Sequence, residues 1–309
     1  MAKTYDVVIV GAGLSGFAAA ARAADKNLTT LLLEKSAHTG GSGNYVEGVF
    51  AAGSTIQKAA GVHVDQQAVL QTELDYSHYE ANHDMWRKYI AQSGQNIDWL
   101  QAHGVQFTGV ATLGKGSQTW HLFAGHGAQA IHQGLEPFVQ RAGVTITTAV
   151  DITSITKDDD QFTIAFTHQQ QIITVTAKNV ILATGGYLNN PAMMDHTAPT
   201  GKNTILPMNA GKSHGDGLKF AWKLGAQPFF TGMKMRFGAQ LADPNVPPYK
   251  LWGATLAKLV VRAQPLLWVN ESGDRFVNED HVIDNWSSQG NVINRQERVF
   301  VILDQAMID

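Results

Sequence analysis

The strongest constraint on the fold lies in the segment ending at Glu34. Val7-Val8-Ile9-Val10 is a short apolar run and reads as a strand. Gly11-Ala12-Gly13-Leu14-Ser15-Gly16 follows at once, and Phe17 to Ala24 has helical character. A second apolar run, Leu31-Leu32-Leu33, ends in Glu34. Strand, glycine turn, helix, strand and acid in that order describe a dinucleotide-binding βαβ unit. Gly11 permits a tight turn out of the strand. Gly13 lets a pyrophosphate approach the backbone, and Gly16 lets helix and strand pack closely. The helix starting near Leu14 aims unpaired N–H groups and its positive dipole end at the phosphates. Glu34 stands 18 residues after Gly16, where an acid accepts hydrogen bonds from ribose hydroxyls. The unit alone does not separate FAD from NAD.

At 309 residues the chain has room for two domains, or for one with an insertion. With 44% apolar and 16% charged residues it falls among ordinary globular proteins. A net charge of −3 gives no reason to expect a nucleic acid or an anionic membrane as partner. Cysteine is absent, which excludes disulfides, thiol nucleophiles, Cys-ligated zinc and iron–sulfur clusters. Electrons reaching a bound cofactor are therefore expected from an external donor or a partner redox protein. Met1 to Asp6 runs straight into the first strand, and no window approaches 18 uninterrupted apolar residues. No signal peptide or membrane span is expected, and the cytoplasm is the expected compartment.

After Glu34-Lys35 comes a loop containing Gly40-Gly41-Ser42-Gly43-Asn44. Such a run reaches backbone conformations closed to other residues and can present successive N–H groups to a ligand. Two amphipathic helices are expected near 65–81 and 83–103. In the second, Trp86, Ile90, Ile97 and Trp99-Leu100 suggest a buried stripe interrupted by Gly94. Gly125-His126-Gly127 opens another helix, 128–142. The runs 144–150, 152–155, 162–166 and 172–175 read as a small antiparallel meander. Asn179 to Leu182 is a buried-type strand ending in Ala183-Thr184-Gly185-Gly186. Asp216, within Ser213-His214-Gly215-Asp216-Gly217, suits either a helix N-cap or an acceptor for a ribityl hydroxyl. From Gln227 to Pro248 the chain is rich in Pro and Gly and reads as a crossing into another domain. None of the twelve histidines falls in a compact metal-ligand spacing, so no metal is expected.

The segments VIVGAGLSGFAAA, LLLEK, GGSGN, IDWLQAHGV, GHGAQAIHQGL, VILATGGY, SHGDGLKFAWKLGA and VNESGDRFVNE run nearly end to end. In their order and spacing the chain resembles the flavoprotein family of soluble fumarate reductases and succinate dehydrogenase flavoprotein subunits. Urocanate reductases and 3-ketosteroid dehydrogenases belong to that family too. The resemblance implies FAD rather than NAD. It implies an α/β fold: a Rossmann-like FAD-binding domain over 1–230, and the beginning of an α+β capping domain over 231–309. By position it assigns Gly11, Ala12, Gly13, Leu14, Ser15, Gly16, Glu34 and Lys35 to the ADP half of the cofactor. Gly40, Gly41, Ser42, Gly43 and Asn44 fall beside pyrophosphate and flavin, with Ala183, Thr184, Gly185 and Asp216 nearby. Val150 is placed at the adenine through its backbone. The implied chemistry is hydride transfer between flavin and an activated C=C bond of a small unsaturated acid or enone.

His121 falls where relatives carry a histidine before a glycine-rich helix start. It reads either as a residue near the flavin or as a hydrogen-bonded histidine beside a loop. Arg262 matches a family arginine and could hold a carboxylate bidentately or form a surface ion pair. Family reductases carry a proton-donating arginine shortly after the RFVNE segment, and in register that position is Ile283. An aliphatic side chain neither donates a proton nor holds a carboxylate, so fumarate itself is not the expected substrate. Family members also continue past the capping domain and return to the FAD domain. A fragment or truncated form is expected, and the alternative function is an FAD-binding module without turnover of its own.

Overall fold

The computed structural model describes residues 3–112, 116–197, 207, 209–229, 245–246, 266–279, 290, 292–293 and 295–305. The elements of the first compact unit are, in chain order, β1 (Thr4–Val10), α1 (Leu14–Asp25), β2 (Thr30–Leu33), a 3₁₀ turn (Gly41–Tyr45), β3 (Gly48–Phe50), α2 (Thr55–Ala59), α3 (Gln66–Tyr76) and α4 (His83–Ala102). Then come β4 (Phe107–Ala111), β5 (Trp120–Phe123), α5 (His126–Gln129), a π turn (Ala130–Leu135), α6 (Glu136–Arg141), β6 (Thr145–Thr147), β7 (Asp151–Asp158), β8 (Gln161–His168) and β9 (Gln171–Leu182). Past α7 (Pro191–Thr197) lies α8 (Asp216–Lys223), and β10 (Leu267–Asn270) and β11 (Val299–Ile302) follow.

The apolar run of β1 becomes the middle of a six-stranded sheet ordered β6-β2-β1-β9-β8-β7. Strands β6, β2, β1 and β9 run parallel, whereas β7, β8 and β9 pair antiparallel. Successive residues of a strand point to opposite faces. Val7 and Ile9 accordingly pack with Phe17, Ala20 and Ala21 of α1 and with Ile131, Leu135 and Val139. Val8 and Val10 pack on the other face with Ile155, Ile164, Phe166 and Val175 of the meander. Burial on both faces explains why β1 and β2 read as unbroken apolar runs. Full burial of a side chain such as Phe17 contributes about 1.5–3 kcal/mol.

Three expectations change. The runs 172–175 and 179–182 are one strand, β9, which pairs with β8 through its first half and with β1 through its second. The run 144–150 yields β6, which joins the parallel sheet beside β2 rather than the meander. The helix expected at 128–142 is α5, π turn and α6 in succession. Pro137 sits in the first turn of α6; without an N–H it cannot bond the carbonyl four residues back, and a wide turn accommodates that loss.

A second, three-stranded sheet, β3-β5-β4, is antiparallel. Leu70, Leu74 and Ile90 from α3 and α4 pack with Ala52 just after β3. Gly94 is the point of closest approach rather than an interruption: a Cβ there would stand 2.6 Å from the Gly53 carbonyl carbon.

The first compact unit comprises residues 1–113, 117–190 and 209–231, and the second 114–116, 191–208 and 232–309. In the second, β10 and β11 form an antiparallel pair around buried Leu266 and Trp268. Glu279 is buried there. Its carboxylate accepts from Arg275 Nε at 3.1 and 3.0 Å and from the Trp268 N–H at 3.0 Å. The Arg275 guanidinium holds that carboxyl down at about 2. The RFVNE segment is thus a local staple.

Candidate functional site

Three chain crossings at the carboxyl ends of β1, β2 and β9 come together in the first unit. Gly11 leaves β1 with φ +104° and donates its N–H to Leu33 O at 2.7 Å. A Cβ on Gly11 would lie 2.4 Å from Ala183 O, and one on Gly16 only 1.8 Å from Gly11 O. Glycine at these two positions is therefore a packing requirement. Gly13 is the N-cap of α1; no side chain caps the helix, and its first turn holds no acid. Around Gly13 the nearest obstacle to a Cβ is Gly40 O, 3.6 Å away.

Glu34 turns toward the glycine bend. Its Oε2 accepts the Ala12 N–H at 2.8 Å and its Oε1 the Ser36 N–H at 2.8 Å. Val150 is buried and donates its N–H to Glu34 O at 3.1 Å. Lys35 reaches Asp216 Oδ2 at 3.0 Å and Asp151 Oδ1 at 3.9 Å. Asp216 is the first residue of α8, capped by Gly215 in the left-handed conformation. That removes the N-cap alternative.

The Gly40–Asn44 run packs on the same bend. Gly40 donates its N–H to Ala12 O at 2.7 Å, and a Cβ on Gly43 would come within 2.9 Å of Leu14 N. Gly41, at φ +50°, faces open space. Thr184 and Gly185 complete the third crossing; a Cβ on Gly217 of α8 would stand 2.2 Å from Thr184 Oγ1. Every residue expected at the ADP half, the glycine run and the β9 end is thus brought to one region, Ser15 being exposed on α1.

Two further groups were not read from sequence. Residues 209–215 lie along the loop after β2: Ala210 donates its N–H to Ser42 Oγ at 3.1 Å, and Lys212 Nζ reaches Ser36 Oγ at 2.9 Å. Helix α5 touches the glycine run, since a Cβ on Gly127 would lie 1.9 Å from Gly43 O. The GHG spacing was the available signal for the second; the first depends on a pairing across more than 160 residues that no local pattern carries.

His121 is placed in the interior. Its side chain is fully buried on β5, with Nε2 2.7 Å from Ser54 Oγ and Nδ1 3.2 Å from Thr119 O. The Thr119 carbonyl can only accept, so Nδ1 carries the proton and Nε2 accepts from the Ser54 hydroxyl. Burial pulls the imidazole pKa below its ordinary value, against opposing bonds to the Thr119 and Val49 carbonyls. Arg262 and Ile283 lie outside the described residues.

An uncapped helix start, an adjoining glycine bend open to close approach and a carboxylate beside it fit a dinucleotide diphosphate and its ribose. Such a bend is what a nucleotide-dependent α/β protein presents to its ligand. The FAD binding domain family matches residues 6–306, and the chain belongs to that family, with FAD as its cofactor. It is 43% identical over 312 aligned residues to the vinyl phenol reductase of Lactiplantibacillus plantarum, across 99% of this chain and 62% of that protein. The chain thus spans about three fifths of the length of that relative. Its fold is shared with a 3-ketosteroid-Δ4-(5α)-dehydrogenase from Rhodococcus jostii RHA1 (TM-score 0.77, 21% identity, 99% of this chain and 67% of that one). A flavocytochrome c3 fumarate reductase in its open conformation gives TM-score 0.78 at 22% identity, over 99% of this chain and 54% of that one. Among the described residues no helix is long and apolar enough to cross a membrane, and no cluster of His, Asp or Glu suits a metal.

Proposed function

We propose that the protein reduces the C=C bond of a small alkene conjugated to a phenol-type ring, with FAD as redox cofactor and electrons from an external donor. The observation that carries the substrate class is the 43% identity to vinyl phenol reductase along 99% of the chain. Ile283 supports it: a neutral vinyl arene has no carboxylate for an arginine to hold. FAD, when bound, supplies the hydride.

The chain's own residues bind and orient that cofactor. The N–H groups at the start of α1 and the Gly11–Gly16 bend hold the diphosphate, and Glu34 accepts from the ribose. Lys35 and Asp216, paired with each other, border the sugar side, and the Val150 backbone meets the adenine. The Gly40–Asn44 turn and Ala183–Gly185 lie toward the flavin. Arg262, the candidate substrate residue from sequence, would meet the phenol oxygen of such a substrate rather than a carboxylate. His121, enclosed and neutral, supports β5 rather than meeting the reacting atoms.

The test is oxidation of a reduced dye by the FAD-loaded protein, with 4-vinylphenol and fumarate as alternative acceptors. Consumption of the vinylphenol without reduction of fumarate is expected. Reduction of fumarate at a comparable rate would overturn the substrate class. FAD uptake with no reduction of either would leave a cofactor-binding module.

A further inference from the structure

The segment 209–215, to which the sequence assigned no role, is tied to two of the three crossings. On the β2 side Ala210 donates its N–H to Ser42 Oγ at 3.1 Å, and Lys212 Nζ donates to Ser36 Oγ at 2.9 Å. On the β9 side Gly215 donates its N–H to Gly186 O at 3.0 Å, and Ser213 donates its N–H to Asn189 Oδ1 at 3.1 Å. Asn190 Nδ2 donates to His214 O at 3.1 Å as well. Lys212 is exposed, yet the backbone that carries it is anchored on both sides.

Ser36 is the joint between Lys212 and the carboxylate read as the ribose acceptor. Its N–H goes to Glu34 Oε1 at 2.8 Å, its carbonyl accepts from the Ala149 N–H at 2.9 Å, and its hydroxyl accepts from Lys212. The other nearby lysines already face carboxylates. Lys35 Nζ lies 3.0 Å from Asp216 and 3.9 Å from Asp151, and Lys219 Nζ lies 4.0 Å from Asp216. Among the described residues Lys212 meets no carboxylate, only the neutral Ser36 hydroxyl. The bend from Gly11 to Gly16 carries no charged side chain. A diphosphate held there would have N–H groups and a helix dipole in its favour, with Glu34 as a like charge beside it. A cation not neutralised by the protein is what such an anion still lacks.

We propose that Lys212 is a binding residue for the ADP half of FAD, its ammonium meeting the diphosphate from the side of Ser36. The inference rests on the reading of the glycine bend and Glu34 as the nucleotide site. Because the ammonium is exposed, its attraction for the anion is moderate in size and weakens as salt is added. A role confined to holding the loop through Ser36 would show no such salt response.

Titrations of the FAD-stripped chain, read by quenching of flavin fluorescence with ADP or adenosine as competitor, test it. Lys212→Gln should weaken FAD and ADP alike by about fivefold at about 0.02 M salt, and by less than about twofold at about 0.5 M. Adenosine, which has no phosphate, should compete with FAD equally on both chains. Lys212→Arg keeps the charge and should restore most of the affinity. Ser36→Ala removes the hydroxyl and keeps the ammonium, so its FAD affinity should still fall with salt as in wild type. Thermal melts of the FAD-free variants check folding, and Lys212→Arg carries the test beside Lys212→Gln if Ser36→Ala does not fold. A Lys212→Gln chain with wild-type FAD affinity, with the wild-type salt response or with an equal loss for adenosine would overturn the proposal alone. A wild-type chain that takes up neither FAD nor ADP would overturn the cofactor reading, and this inference with it.

Discussion

Glu34 holds the Ala12 and Ser36 amides with one carboxylate, and the proposed function gives that carboxylate a second task, accepting from a ribose. Hydrogen bonds to a charged group contribute about 1.5–3 kcal/mol each. Replacing Glu34 with Ala should therefore weaken FAD binding by about 10- to 100-fold in a fluorescence titration, with Glu34→Gln between the two. His121 predicts a different signature. Its burial lowers the imidazole pKa, so the unfolded chain binds this proton more readily than the native one. Stability should then decline as pH falls below the ordinary histidine range near 6.5, and not as pH rises. In denaturant melts between about pH 7.5 and pH 5.5, His121→Asn should show a shallower acid-side decline than wild type. Glycine spacing and the distant acid were readable because each answers a backbone demand that few residues meet. The burial of His121 was not, since a histidine beside a loop looks alike in sequence whether its ring turns in or out.

Among the elements, the helical run 126–141 links the core to the Gly40–Asn44 turn. Ile131, Leu135 and Val139 bury one side of it against α1 and β1, while Gly127 brings its start onto Gly43. Gly127→Ala inserts a methyl group where 1.9 Å is available. A loss of about 1–3 kcal/mol is expected from that overpacking, with weaker FAD binding, since the displaced neighbour is backbone. Calorimetry with and without FAD checks both; an unchanged melting temperature would contradict the contact. Periodicity located this run as a helix, and α3 and α4 as well. The π turn escaped because one proline's missing donor, not apolar spacing, produces it. The meander was misread at its edges for a related reason. Alternation reveals a strand but not its neighbours, and β6 and the two halves of β9 found theirs through long-range pairing.

For the whole molecule, cofactor and stability are linked. A ligand that binds only the native state stabilises it by RT ln(1 + [L]/Kd), about 2.7 kcal/mol at a hundredfold excess over Kd. The melting temperature of the chain should climb with FAD concentration and stay flat with NAD, and the reverse ranking would refute the cofactor assignment. Strand β9 gives this linkage a route. It is a single run of twelve residues whose first half pairs with β8 and whose second half pairs with β1, and it ends at the crossing over Gly11. The two pairings meet at Thr176 and Ala177, so one continuous backbone joins the antiparallel hairpin to the parallel sheet. Its amides should exchange with solvent as one block, so that a nucleotide gripped at its tip also slows isotope uptake in the distant hairpin.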